Sequence, residues 1–107
     1  MTTTTPPLRI AMIGTGFMGR MHSQAWNTAP RFFELPFAPQ LALLVGRRSD
    51  VTADAAARWG WSDHSLDWRE AVERDDIDAI DICTPGDTHE EIALAALAAG
   101  KHVLCEK

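Results

Sequence analysis

The sequence predicts an α/β fold with a parallel sheet, and two patterns carry this prediction. Short apolar runs alternate along the chain with Ala-rich segments of helical length. The runs are continuous rather than alternating, which is typical of parallel strands that are buried on both faces. Because strand and helix alternate, we expect βαβ units with right-handed crossovers and helices on both faces of the sheet. The predicted strands are Leu8–Ile13, Leu41–Val45, a weak one near Ser62–His64, Asp78–Cys83 and His102–Cys105.

Length, charge and composition exclude several classes of protein. The chain has 107 residues, enough for one domain, and carries a formal net charge of −5 without a basic stripe, so we expect no binding to nucleic acid. We expect no membrane segment, since no apolar run approaches spanning length, and no secretory signal. The two cysteines are then expected to be reduced in a cytoplasmic protein. Residues 1–7 are predicted to form a disordered tail before a folded domain of residues 8–107.

The predicted connection between the first helix and the second strand is unusually long. It runs from Thr28 to Gln40, is interrupted by prolines, and exceeds the common length of such connections. Four large apolar side chains in it are expected to cover a sheet edge or the helix ends: Phe32, Phe33, Leu35 and Phe37.

Three glycines follow the first predicted strand with the spacing Gly14-x-Gly16-x-x-Gly19, and a helix is predicted after them. In such a loop the first glycine permits a tight turn, the second lets a pyrophosphate approach the backbone, and the third lets the helix pack closely. Unpaired N–H groups at the helix start, around Phe17 and Met18, and the positive end of the helix dipole favour phosphate binding. With the βαβ units downstream, the pattern favours a Rossmann-type dinucleotide-binding domain over a simple turn. Methyltransferases that use S-adenosylmethionine also contain a G-x-G loop, so that class stays open here.

The residues after the second predicted strand bear on the choice between NAD and NADP. In this fold an acid at that position holds the adenosine ribose of NAD, whereas an Arg can accept the 2′-phosphate of NADP. Here Gly46 stands where the acid is expected, and Arg47 and Arg48 follow it. The planar guanidinium of Arg47 can pair with a phosphate or stack on adenine. We predict that NADP is favoured over NAD; the alternative is that both arginines are solvated surface residues.

The segment DIDAIDICTPGDTHEEIALAALAAGKHVLCEK, residues 76–107, together with AMIGTGFMG at residues 11–19, resembles the glucose–fructose oxidoreductase/inositol dehydrogenase (Gfo/Idh/MocA) family. The resemblance covers nearly all of residues 8–107 and argues against a methyltransferase. It implies a three-layer Rossmann-type fold with strand order 3-2-1-4-5, an NAD(P) cofactor, and homo-oligomers of the full-length enzyme. It also implies a further domain that binds a small polyhydroxy substrate, which we expect this chain to lack.

The resemblance implies roles for individual residues as well. Lys107 matches the Lys of the family's Glu-Lys-Pro motif, which implies a catalytic residue that hydrogen-bonds the reacting hydroxyl beside the nicotinamide. Glu106, the first residue of that motif, is predicted to bind the cofactor. Thr84 and Pro85 follow the fourth strand, where this fold binds its ligand, and are predicted cofactor contacts. His89 is implied to lie near the nicotinamide ribose, with an ordinary first-turn helix residue as its alternative.

Two polar residues have no assigned ligand, and no metal site is predicted. His22 is expected to be structural, and Asp81 is an acid within an apolar strand, which requires a partner if it is buried. The other histidines show no metal-ligand spacing, and the cysteines are expected to be small buried hydrophobic residues.

The sequence therefore predicts the dinucleotide-binding domain of an NAD(P)-dependent oxidoreductase. The whole enzyme would transfer hydride between nicotinamide and a sugar, polyol or inositol-type alcohol, and the chain alone is expected to be inactive. The alternative is a non-catalytic module that binds or senses NAD(P).

Overall fold

The computed structural model describes residues 5–107, which form a five-stranded parallel sheet with helices packed on its faces. The sheet order is β3-β2-β1-β4-β5, so the predicted fold class and strand order are confirmed. The strands are β1 (Pro7–Ile13), β2 (Ala38–Val45), β3 (Asp63–Ser65), β4 (Ala79–Ile82) and β5 (His102–Cys105). The helices are α1 (Phe17–Phe32), α2 (Ser49–Trp59), α3 (Trp68–Glu73) and α4 (His89–Ala98), with a short 3₁₀ helix at Gly86–Thr88.

The central strand β1 divides the core into two layers. Ala11 and Ile13 belong to an apolar cluster on one face of the sheet, and Ile10 and Met12 belong to a cluster on the other. The first cluster includes side chains from α3 and α4: Ala71, Val72, Ile92 and Ala96. The second includes Ala55 and Ala56 of α2, with Trp26 of α1 packed against it. Burial on both faces explains why the strand sequence is continuously apolar.

The carboxyl ends of β1, β2 and β4 lie side by side. The Gly14 N–H, just after β1, donates to the Val45 carbonyl of β2 at 2.8 Å. The Cys83 N–H, just after β4, donates to the Ile13 carbonyl of β1 at 2.8 Å. Because β1 pairs with β2 on one side and β4 on the other, the strand order reverses here, and such a point opens a crevice for ligands.

The predicted connection between α1 and β2, residues 28–40, is longer than the one in the structure. Helix α1 continues through Pro30 to Phe32, and β2 begins at Ala38. Pro30 has no N–H and so removes one helical hydrogen bond, but the fixed φ of proline suits a helix. The Phe33 N–H donates to the Ala29 carbonyl at 3.0 Å and closes the final turn. Phe32 and Phe33 are 77% and 68% exposed, so they do not provide the predicted cover. The other two predicted side chains, at positions 35 and 37, are half-buried.

The first strand begins one residue before its predicted start at Leu8. Strand β1 begins at Pro7, and the Pro6 carbonyl accepts a hydrogen bond from the Ala38 N–H at 2.8 Å. Of the predicted tail, residues 1–4 lie outside the described residues. Within residues 5–107, no helix combines the length and the apolar character needed to cross a bilayer.

Candidate functional site

A cleft of about 740 Å³ lies at the carboxyl ends of β1, β2 and β4. Most of the predicted cofactor-binding residues line it: Gly14, Gly16, Phe17, Met18, Gly46, Arg47, Arg48, Thr84 and Pro85. Four predicted site residues lie elsewhere among residues 5–107: Gly19, His89, Glu106 and Lys107. The cleft therefore coincides with the topological switch point at which this fold class binds nucleotides.

The first and third glycines of the loop are required by close packing. Gly14 has a φ of +122°, which side chains rarely tolerate, and a Cβ there would lie 2.8 Å from the backbone of Cys83. A Cβ at Gly19 would overlap the Gly14 carbonyl oxygen and approach Met12. Helix α1 can therefore begin against the loop only because both positions lack a side chain.

Gly16 differs from its two neighbours because a Cβ at this position would meet no atom within 4 Å. Gly16 also lines the cleft, and the open space at this position fits an incoming pyrophosphate. Gly16 is the N-cap of α1, has no side-chain cap, and is followed by a first turn without an acid. The N–H groups of Phe17 and Met18 are consequently available to an anion at the positive end of the helix.

The end of β2 presents two arginines with different surroundings. Arg48 is the N-cap of α2, and its guanidinium lies 3.4 Å from the Asp50 carboxylate. Arg47 makes no ion pair within residues 5–107. Gly46 is enclosed, since a Cβ there would overlap Thr52 Oγ1 and approach Thr15. The glycine at position 46 is therefore required by packing whatever its relation to a ribose.

The segment after β4 is held by hydrogen bonds that its sequence did not reveal. Thr88 Oγ1 lies 2.6 Å from Thr84 Oγ1 and donates to the Pro85 carbonyl at 2.8 Å. The ring of His89 lies 2.6 Å from the Thr84 carbonyl, so Nε2 donates to it. His89 thus stabilises this turn beside the cleft, and its predicted contact with the ribose stays a prediction.

The side chains of the two residues after β5 have different surroundings. Lys107 is exposed at the same carboxyl edge of the sheet as the cleft. The Glu106 carboxylate instead lies 2.7 Å from Nε2 of His22 on α1. The Glu106 N–H donates to the Ile82 carbonyl at 2.9 Å, which extends the pairing of β4 with β5 by one bond.

The buried acid of β4 has the partners that the sequence left unidentified. Asp81 is fully buried, with both carboxylate oxygens 2.9 Å from His22 Nδ1, and it accepts from Trp26 Nε1 at 2.9 Å. The Cys83 thiol donates to it at 3.6 Å, and burial together with the Asp81 charge raises the pKa of this thiol. His22, Asp81 and Cys83 each place a ligand-type atom within 4.8 Å of the others. The Asp81 carboxylate is hydrogen-bonded to each of the other two, and the absence of a metal site stays a prediction.

Several apolar residues of the cleft were missed by the sequence reasoning. Val51 and Leu66 line it together with Arg47, and they are 39% and 51% exposed. Trp68 lines it as well, with the Arg69 guanidinium 4.6 Å from the centre of its ring. The strand order alone could have found Leu66, because β3 ends beside β2. Exposed apolar side chains that line the cleft suit the flat face of an adenine.

Comparison with known proteins places the chain in one family. Residues 8–107 match a family model described as an oxidoreductase family with an NAD-binding Rossmann fold, Gfo/Idh/MocA. Levoglucosan dehydrogenase of Pseudarthrobacter phenanthrenivorans is 42% identical over 101 residues, which are 94% of this chain and 26% of that protein. Inositol 2-dehydrogenase of Paracoccus denitrificans is 40% identical over 106 residues, 94% of this chain and 28% of that protein.

Solved structures agree with these relatives. An oxidoreductase domain protein from Kribbella flavida has a TM-score of 0.92 and 57% identity, covering 95% of this chain and 27% of that one. A levoglucosan dehydrogenase in complex with NADH and L-sorbose has a TM-score of 0.93 and 41% identity, covering 95% and 28%. The chain thus spans about a quarter of the length of its relatives. With a matching sequence, sheet order and glycine loop, the chain belongs to the Gfo/Idh/MocA oxidoreductase family and forms its NAD-binding Rossmann domain.

Proposed function

We propose that this domain binds a nicotinamide dinucleotide in the cleft and serves an enzyme that oxidises an alcohol group of a sugar, polyol or inositol. The observation that carries the proposal is the open position at Gly16, directly before the uncapped start of α1. The bound nicotinamide would supply hydride exchange with the alcohol carbon. Relatives that include a levoglucosan dehydrogenase and several inositol 2-dehydrogenases support this substrate class.

Each part of the cleft has a task in this proposal. The N–H groups of the glycine loop hold the pyrophosphate, and the exposed faces of Val51 and Leu66 contact the adenine. Thr84 and Pro85 border the nicotinamide half. Lys107 would hydrogen-bond the substrate oxygen, and its ammonium would stabilise the negative charge on that oxygen once the hydroxyl proton has passed to a base or to water, before hydride leaves the carbon and the carbonyl forms.

We predict that the 107-residue chain binds NADH but does not turn over substrate. Binding requires only the cleft, whereas hydride transfer also requires an alcohol held in reactive geometry against the nicotinamide. Calorimetry with NADH should give a saturable heat of binding. Incubation with NAD⁺ and levoglucosan, inositols or sugars should give no rise in the absorbance of reduced cofactor.

Failure of NADH and NADPH to bind the folded chain would refute the cofactor site. Clear turnover by the purified chain would show that substrate can be held without further residues.

We also propose that NADP is favoured over NAD through Arg47. Two observations support this: Arg47 lines the cleft without an ion-pair partner among residues 5–107, and Gly46 has no space for the carboxylate that would repel a 2′-phosphate. A related levoglucosan dehydrogenase was solved in complex with NADH, so the shared fold does not by itself require NADP. The preference between NAD and NADP must therefore come from the side chains of the individual protein.

Arg47→Ala is expected to weaken NADPH binding by about tenfold to a hundredfold while changing NADH binding little. A charge-assisted contact between guanidinium and phosphate contributes about 1.5–3 kcal/mol, and only NADP carries the 2′-phosphate. The measurement is a pair of dissociation constants, with Arg58→Ala as the control because Arg58 lies on α2 and pairs with Asp54 at 3.0 Å. Equal weakening of both cofactors would mean that Arg47 stacks on the adenine instead.

A further inference from the structure

A histidine bridge connects helix α1 to the ends of two strands outside the cleft. His22 Nδ1 lies 2.9 Å from both Asp81 oxygens on β4, and Nε2 lies 2.7 Å from Glu106 after β5. Asp81 is fully buried, whereas the side chains of His22 and Glu106 are 23% and 27% exposed. The His22 ring therefore lies between the buried Asp81 carboxylate and the partly exposed Glu106 carboxylate.

The partners define the protonation state of the ring. An ionised carboxylate only accepts hydrogen bonds, so a ring that faces a carboxylate with each nitrogen satisfies both when it donates from Nδ1 and Nε2. That state is the imidazolium, and its positive charge also offsets the buried charge of Asp81. The remaining donors to Asp81, Trp26 Nε1 and the Cys83 thiol, are neutral.

The groups around His22 favour this charged state. Burial lowers the pKa of His22, but hydrogen bonds to Asp81 and Glu106 outweigh it and raise the pKa above its ordinary value of 6.5. The hydrogen bond from His22 lowers the pKa of Glu106, against the effect of desolvation, and the neighbouring Lys107 lowers it further. Cys83 stays a neutral thiol because burial raises its pKa.

We propose that His22 is a positioning residue, which clamps Glu106 against the buried Asp81 and thereby holds the chain segment that carries Lys107. Two hydrogen bonds to the backbone hold this segment within residues 5–107: the Glu106 N–H donates to the Ile82 carbonyl at 2.9 Å, and the Cys105 thiol donates to the Glu106 carbonyl at 3.3 Å. The clamp adds an attachment through the Glu106 side chain, since its carboxylate lies 2.7 Å from His22 Nε2. Its consequence for catalysis rests on the proposed role of Lys107, whereas the clamp itself is a property of this chain.

The clamp has a defined pH window. Because the folded-state pKa of His22 is raised, its stabilisation is complete below about 6.5 and is lost as the pH rises through the raised pKa. Because the pKa of Glu106 is lowered, its contribution is present above about 4.5 and is lost as the pH falls through the lowered pKa. Lys107 should therefore be held most firmly in mildly acidic to neutral solution and released in alkaline solution.

The test is an NMR titration of the ¹⁵N-labelled chain from about pH 5 to about pH 9, around the ordinary titration range of histidine. The ring nitrogen shifts of His22 report its protonation, and the heteronuclear NOE of the Lys107 amide reports its motion. We expect a doubly protonated His22 at pH 6, and an increase in Lys107 motion with the same midpoint as His22 deprotonation. Glu106→Gln should lower that midpoint and mobilise Lys107 at neutral pH.

Two variants separate the clamp from general effects on the fold. Glu73→Gln removes an exposed carboxylate of α3 that makes no hydrogen bond to His22, and it should change neither readout. His22→Gln should make the motion of Lys107 independent of pH across the same range. A neutral His22 ring at pH 6, or Lys107 motion that ignores both the titration and Glu106→Gln, would overturn the proposal. NADH titration of the same samples tests the cofactor site separately, since the clamp lies outside the cleft.

Discussion

Gly16→Val is expected to weaken NADH binding by about a hundredfold or more, equivalent to about 2.7 kcal/mol or more. A Cβ at Gly16 meets nothing within 4 Å and Gly16 lines the cleft, so we expect the valine to occupy the space proposed for the pyrophosphate. The side chain would therefore exclude the phosphate without disturbing the fold. A second contribution comes from separating the phosphate from the N–H groups at the start of α1.

Calorimetry on variants of matched stability would measure this effect. Gly16→Ala should give an intermediate loss, since it adds one carbon to the same space. Ala57→Val places a valine on the exposed face of α2, away from the cleft, and should bind NADH like the parent chain. Unchanged affinity in folded Gly16→Val would show that the pyrophosphate does not approach this glycine.

Gly46→Ala is expected to lower the free energy of unfolding by about 1–3 kcal/mol, the usual cost of overpacking a tight site. The added Cβ would overlap Thr52 Oγ1, which is fully buried and donates to the Arg48 carbonyl at 2.6 Å. A shift of the Thr52 hydroxyl away from this Cβ would disturb that hydrogen bond. Aspartate at position 46 would meet the same obstacle with a longer, charged side chain, and is therefore unsuitable for a cofactor-switching experiment.

A double-mutant cycle with Thr52→Ala would identify the cause. Thr52→Ala alone should cost about 1 kcal/mol through loss of its hydrogen bond, and Gly46→Ala should cost less in that background than in the parent chain. Gly86→Ala is the matched control, since a Cβ there meets nothing within 4 Å and its φ is not positive. Additive costs in urea denaturation would contradict a steric origin at Thr52.

The local sequence was sufficient for the elements that depend on short-range patterns. Continuous apolar runs identified β4 and the second half of β1, because burial on both faces requires apolar residues there. The run HVLC identified β5 as well, although three of its four residues are exposed at the sheet edge. The glycine spacing located the turn after β1, since only a residue without a side chain adopts the φ of +122° at Gly14. The order of the strands followed from the family resemblance, and it accounts for the position of the cleft.

Helix boundaries and residue roles were harder to predict where one residue type can serve two structural purposes. Pro30 suggested an early end of α1, yet the helix continues to Phe32, since a proline near a helix end removes a single hydrogen bond. Gly46 suggested a ribose contact from its place after β2. Its packing against Thr52, six residues later in α2, became visible only with both elements in place.

The sequence by itself determined the strands, the glycine loop and the family, because each depends on residues close together or on motifs at fixed spacing. The tertiary structure alone decided the partners of His22, which lie 59 and 84 residues away at Asp81 and Glu106. A buried carboxylate requires a donor, but many polar residues of the chain could have supplied it. Only the docking of α1 against the ends of β4 and β5 selects His22, and this selection assigns Glu106 to the clamp and leaves Lys107 at the edge of the sheet.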